Sequence, residues 1–155
     1  MNVTVIHVGD LKEKYYEQAV AEYEKRLSRF CRLKNVEIKE AYLPNSPTDG
    51  EIKAALDAEG RRITEAIPDK SYKIALCVEG KALSSEQLAE AISLAARDIT
   101  FIIGSSHGLS EDVKKLCDLR LSFSKMTLPH RLIRVILAQQ IYRAFTINAG
   151  TGYHK

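Results

Sequence analysis

Four short runs in this chain of 155 residues carry groups able to do chemistry. They are Glu79-Gly80-Lys81, Gly104-Ser105-Ser106-His107-Gly108, the stretch Ser124 to Pro129, and the terminal Tyr153-His154-Lys155. The second matches G-x-S-x-G, the pattern of a hydrolase nucleophile elbow, in which a serine sits on a sharp strand-to-helix turn. It also reads as a buried strand running into a small-residue loop, where glycines let a ligand approach the main chain closely. An elbow needs its helix directly after the serine. Here the helix signals start at Ser110, an N-cap followed by Glu111 and Asp112, four residues beyond Ser106. A triad would draw on Asp118 and then His130 or His154, but Asp118 falls at the start of a predicted strand. Serine hydrolysis is therefore a poor fit, and the loop is either a ligand cradle or an ordinary turn.

The tail admits two readings as well. Termini fray, and Tyr153, His154 and Lys155 follow two glycines, so solvation is the simpler one. The same residues could close over a substrate by stacking on a base, donating to phosphate or moving a proton. Arg143, near the end of the last helix, is either a cation complementing a helix C-terminus or a charge for a substrate.

Ten elements must position these groups. Strands are expected at 2–8, 35–43, 72–78, 99–103 and 119–123, each a β-branched or apolar run. Helices are expected at 12–30, 48–67, 84–97, from 110, and from Pro129 as first helical residue to about 147. Thr48 with Glu51 and Ser84 with Gln87 match capping boxes. Strands that alternate with helices predict one α/β domain over 1–155, with a mainly parallel sheet and helices on both faces. In such sheets ligands sit beyond the carboxyl ends of the strands, where three of the four runs fall. The loop after the first strand, Gly9-Asp10-Leu11-Lys12, lacks G-x-G-x-x-G, and no P-loop occurs anywhere. The last helix carries Leu132, Ile133, Val135, Ile136, Leu137, Ile141 and Phe145 around most of its circumference. A helix apolar on more than one side predicts a subunit interface beside the core.

Composition narrows the class. The chain is 45% hydrophobic and 28% charged, as in soluble globular proteins. No apolar run nears the roughly 20 residues of a membrane span, and the start lacks a signal-peptide layout, so a cytoplasmic protein is expected. Three widely spaced cysteines form neither a disulfide framework nor a metal site, and no metal is expected. A net charge of +3 does not by itself imply nucleic acid.

The runs "FIIGSSHGLS", "LSFSKMTLPHRLIRVILAQQIYRAF" and the terminal "YHK" together resemble the RlmH family of ribosomal RNA large-subunit pseudouridine N3-methyltransferases, of the SPOUT class. The resemblance covers essentially the whole chain, including "VIHVGDLKEKYY". It implies a C-terminal trefoil knot and an S-adenosylmethionine pocket built from three loops. Leu76, then Gly104, Ser105 and Gly108, then Phe123, Ser124, Lys125, Met126, Thr127 and Leu128 would bind that methyl donor. It implies a homodimer packed through the last helix, with both chains completing each site, and a pseudouridine of 23S rRNA in the assembled ribosome as substrate. Arg143, Tyr153 and His154 match the positions over the substrate, and the proton acceptor is left open. Relatives usually have glycine at the Ser105 position and often glutamate at Gln139, so Gln139 is given no catalytic role. The rivals are the serine hydrolase and a non-catalytic RNA-binding module.

Overall fold

The computed structural model describes all residues from 1 to 155. Five strands, β1 (Asn2–Val8), β2 (Arg32–Ile38), β3 (Tyr72–Ala82), β4 (Ile99–Ile103) and β5 (Leu119–Ser122), form one sheet. Its order is β2-β1-β4-β3-β5, and every pairing is parallel. The helices between them are α1 (Lys14–Leu27), α2 (Asp49–Ala66), α3 (Ser85–Ala95), α4 (Glu111–Leu116) and α5 (His130–Asn148).

Strand periodicity sorts the side chains into two cores. Val3, Val5, Ile74, Ile99, Phe101 and Ile103 face one side, against Leu27 of α1, Leu88 and Ile92 of α3, and Leu137 and Ile141 of α5. Ile6, Val8, Ala75 and Ile102 face the other, against Ile63 of α2 and Val113 of α4. Helices therefore cover both faces, as expected, and β4 is buried along its whole length.

Both capping boxes form: the Thr48 and Ser84 side chains accept from the N–H groups of Glu51 and Gln87, which reach back to the cap N–H. The expected boundaries fail at four places. β2 runs over 32–38 rather than 35–43, because an edge strand extends only as far as its partner, and its register ends at Val8↔Ile38. Beyond it the Ala41 N–H donates to Glu59 Oε2 at 2.9 Å. α1 is shorter than 12–30, since Lys12 has φ 58° and cannot be helical. β3 continues to Ala82 through a register break between Leu76 and Lys81, with both residues opposite Leu121. Pro129 is the N-cap rather than the first helical residue, with an extended ψ of 133°.

Candidate functional site

The carboxyl ends of β3, β4 and β5 surround a cavity of about 540 Å³, within the size range of ligand pockets. Three segments line it: Leu76 to Glu79 at the register break of β3, Ile103 to Leu109 after β4, and the connection from β5 to α5.

Each wall has a local cause. After β4 the chain makes a tight turn in which the Gly108 N–H donates to the Ser105 carbonyl at 2.9 Å, with Gly108 at φ 90°. Gly104 meets the far side of this turn so closely that a Cβ would lie 2.2 Å from the Gly108 carbonyl oxygen. Only then does Ser110 cap α4, accepting from the Val113 N–H at 3.3 Å. Ser106 therefore stands in a loop rather than on an elbow. Asp118 is bound at the other end of the sheet, where its carboxylate accepts from the Lys73 N–H at 2.8 Å and pairs with Arg97. It cannot serve a triad at Ser106.

In the third wall Ser122 Oγ donates to the Ser124 carbonyl, and Ser124 Oγ accepts from the Met126 N–H. The N–H groups of Ser106, His107, Thr127 and Leu128 have no partner within the chain. Main-chain donors left free around a cavity walled by Leu76, Ile103, Leu109, Phe123, Leu128 and Ile133 suit a ligand with an apolar body and a polar edge. Ser105, Gly104, Gly108, Phe123, Ser124, Met126, Thr127 and Leu128 all line the cavity, as expected; Lys125 does not. It is exposed on the same loop.

Two charged features of the cavity were not foreseen. Lys114 of α4 reaches across to the Glu79 carboxylate. Burial works to lower the Lys114 pKa, but the bond to Glu79 and the nearby Glu111 outweigh it, and the pKa is raised. Glu79 is lowered by the same hydrogen bond. His130 lines the cavity with its Nε2 buried and unpartnered. Burial, then the Arg131 charge, lower its pKa and favour the neutral ring. Neither residue lies in a motif; crossovers from other strands bring them in.

Arg143, Tyr153 and His154 come together elsewhere. α5 ends in a turn with Gly150 at φ 69°, and the Thr151 N–H donates back to the Thr146 carbonyl at 3.1 Å. The tail thus folds back onto α5. Arg143 Nη1 lies 2.9 Å from His154 Nδ1, and its guanidinium carbon 4.9 Å from the centre of the Tyr153 ring. His154 Nε2 contacts the Glu86 carboxylate of α3 at 2.7 Å. Donation from Arg143 to Nδ1 assigns the imidazole proton to Nε2, on the Glu86 side. With its amide oxygen turned toward Arg143, Gln139 accepts from Nε and Nη2 at 3.0 Å each. Gln139 and Glu86 thus anchor this cluster, and the sequence marked neither as doing so. None of Arg143, Tyr153 or His154 lines the cavity. His130 at one end of α5 and Arg143 thirteen residues along it are separated by about 20 Å of rigid helix.

A family model described as predicted SPOUT methyltransferase matches residues 1–154. The chain belongs to the SPOUT methyltransferase family. Among its relatives, the ribosomal RNA large subunit methyltransferase H of Streptococcus thermophilus (strain CNRZ 1066) is 48% identical, and that of Ligilactobacillus salivarius (strain UCC118) is 46% identical. Both alignments cover 100% of each chain. Solved structures share the SPOUT chain's fold at low identity. A probable methylase family protein from Haemophilus influenzae Rd KW20 superposes with a TM-score of 0.57 at 12% identity, over 99% of this chain and 70% of the other. TrmJ from Z. mobilis ZM4 gives 0.54 at 15% identity, over 92% and 68%. No helix of this SPOUT methyltransferase is long and apolar enough to cross a membrane.

Proposed function

We propose that this protein is an S-adenosylmethionine-dependent methyltransferase of large-subunit (23S) ribosomal RNA, acting at N3 of a pseudouridine in the assembled ribosome. The observation that carries the reading is the full-length identity of 46–48% to ribosomal RNA large subunit methyltransferase H proteins. The cavity of about 540 Å³ bordered by unpartnered main-chain donors supports it independently. When bound, the donor supplies an electrophilic methyl group on a sulfonium.

The chain's own residues do the rest. Leu76, Gly104, Ser105, Gly108 and the loop from Phe123 to Leu128 hold the donor, chiefly through backbone, and keep water from it. Lys125, exposed on that loop, faces the entrance. Arg143, Tyr153 and His154 meet the target base: Tyr153 packs against it, while Arg143 and His154 stabilise the charge left as the N3 proton departs. Orientation of ring nitrogen and methyl is the larger contribution to rate.

The two clusters complete each other across a homodimer. About 20 Å of helix keeps a chain's tail from its own cavity. Leu132, Val135 and Ile136 of α5 remain half-exposed beside the fully buried Leu137 and Ile141, an apolar face available to a partner. An antiparallel pairing of two α5 helices sets each tail over the other chain's cavity. The single domain over 1–155 carries the trefoil crossing as part of the same reading. The path of 123–129, which returns from edge strand β5 past the ends of β4 and β3, supports it. The substrate makes the enzyme cytoplasmic. With a net charge of only +3, it works poorly on a naked stem-loop.

The test is methyl transfer from labelled donor to ribosomes lacking the modification, with the product base mapped. Label at N3 of one 23S pseudouridine is expected. Absence of transfer, or label on another base, overturns the reading.

A further inference from the structure

A second groove, of about 570 Å³, opens where the C-terminal ends of α1 and α5 meet the tail. Lys25, Arg26 and Arg29 supply its cations, and Glu22 is its one carboxylate. Glu22 already accepts from Arg26 Nε at 3.0 Å. The Arg26 guanidinium lies over the rings of Tyr23 and Tyr142, at 5.5 and 5.8 Å, which fixes its plane. Lys25 and Arg29 are exposed and form no ion pair. In a chain whose net charge is only +3, this is a local excess without an internal acid to neutralise it.

We propose that this groove binds the phosphodiester backbone of the RNA beside the target nucleotide. The inference rests on the reading of the chain as an rRNA methyltransferase and adds to it a path for the strand. Free cations on a helix end, flanked by aromatic faces and the Thr151 hydroxyl, are the chemistry that tracks a nucleic-acid backbone. The groove is also continuous with the proposed catalytic tail. Tyr153 lines the groove while its ring carries the Arg143 guanidinium, which in turn holds His154. A strand lying on Lys25 and Arg29 therefore passes directly to the residues proposed to meet the base. A second copy of the chain is a poorer occupant, since it brings no acidic groove of its own to match these cations.

The experiment compares Lys25→Ala/Arg29→Ala with the wild-type enzyme on ribosomes lacking the modification, over a range of salt. A phosphate contact to a single strand contributes a slope of about 0.7 in log affinity against log salt. Near ~0.15 M salt that is roughly fourfold per contact, so the pair is expected to raise KM for ribosomes roughly 15-fold and to flatten the salt slope by about 1.4. kcat and donor binding stay unchanged. Lys53→Ala/Arg61→Ala on α2, across the sheet, removes the same charge and is expected to leave KM within about twofold.

Three results overturn the inference: a wild-type KM in Lys25→Ala/Arg29→Ala, an equal KM shift in both double variants, or a change of oligomeric state on sedimentation. The last would make the groove a contact between copies. A wild-type enzyme that transfers no methyl to rRNA overturns the parent reading, and this inference with it. An active wild-type enzyme with an unmoved variant overturns this inference alone.

Discussion

Substitution of Gly104 by alanine probes the wall on which the donor cavity depends. The added methyl group would lie 2.2 Å from the Gly108 carbonyl oxygen and 2.5 Å from its carbon. A carbon–oxygen contact needs roughly 3.3 Å, so the two strands of the turn must part by about 1 Å. Strand β4 cannot yield, because all five of its residues are buried between two helical layers. The loop must move instead, at the expense of the 2.9 Å bond from the Gly108 N–H to the Ser105 carbonyl. Overpacking of this kind costs about 1–3 kcal/mol, and the hydrogen bond adds about 1. At about 2–4 °C per kcal/mol for a domain of this size, Tm falls by roughly 4–15 °C. Displacing a cradle by about 1 Å is also expected to slow methyl transfer roughly 100-fold. Thermal unfolding and calorimetric titration with S-adenosylmethionine measure both effects. A Gly104→Ala protein that melts within about 1 °C of wild type and binds the donor equally well would refute the close-packed turn. Ser105→Gly, which only removes a side chain from the same loop, is expected to fold and bind as wild type.

Three further outcomes are expected. Ser106→Ala should leave methyl transfer within about threefold of wild type, since its hydroxyl serves no nucleophile; loss of an esterase activity in this variant would revive the hydrolase. Deletion of Tyr153 to Lys155 should spare folding, because only the Glu86 contact, the Gln139 bond and the Tyr142 packing are lost, yet reduce transfer at least roughly 100-fold while donor binding persists; full activity would exclude the tail from the site. Acid should destabilise the protein through His7, whose pKa is pushed down to about 4 by burial and then by Arg134, with Nδ1 held 2.8 Å from the Gly9 carbonyl. Between about pH 6.5 and 4 the unfolded chain binds a proton that the folded chain does not, so stability falls as pH drops, by roughly 3 kcal/mol in all. His7→Gln should flatten that stretch of the Tm–pH curve, and an unchanged curve would refute it.

Much of the fold was legible because its signals are local. The capping boxes at Thr48 and Ser84, the cap at Ser110 and the apolar runs of β1 and β4 depend on neighbours a few residues away, and their elements stand where expected. The misplaced boundaries lie where a distant partner decides. β2 ends where β1 ends, and β3 outlasts its apolar run because it re-pairs with Leu121 after the break.

The cavity divides in the same way. Its three loops could be chosen from sequence alone, since a parallel sheet sends ligands to the carboxyl ends of its strands and small residues cluster there. Lys114 against Glu79, the unpartnered His130 and the Glu86 contact to His154 could not, because they join residues 35 and 68 positions apart, or leave a ring nitrogen alone, through packing that no periodicity encodes. The amino-acid order by itself determined the strands, the caps, the glycine turn and the family. Only the tertiary structure decided that one chain keeps its cavity and its tail apart, because a straight helix of nineteen residues holds its two ends at a fixed distance whatever chemistry they carry.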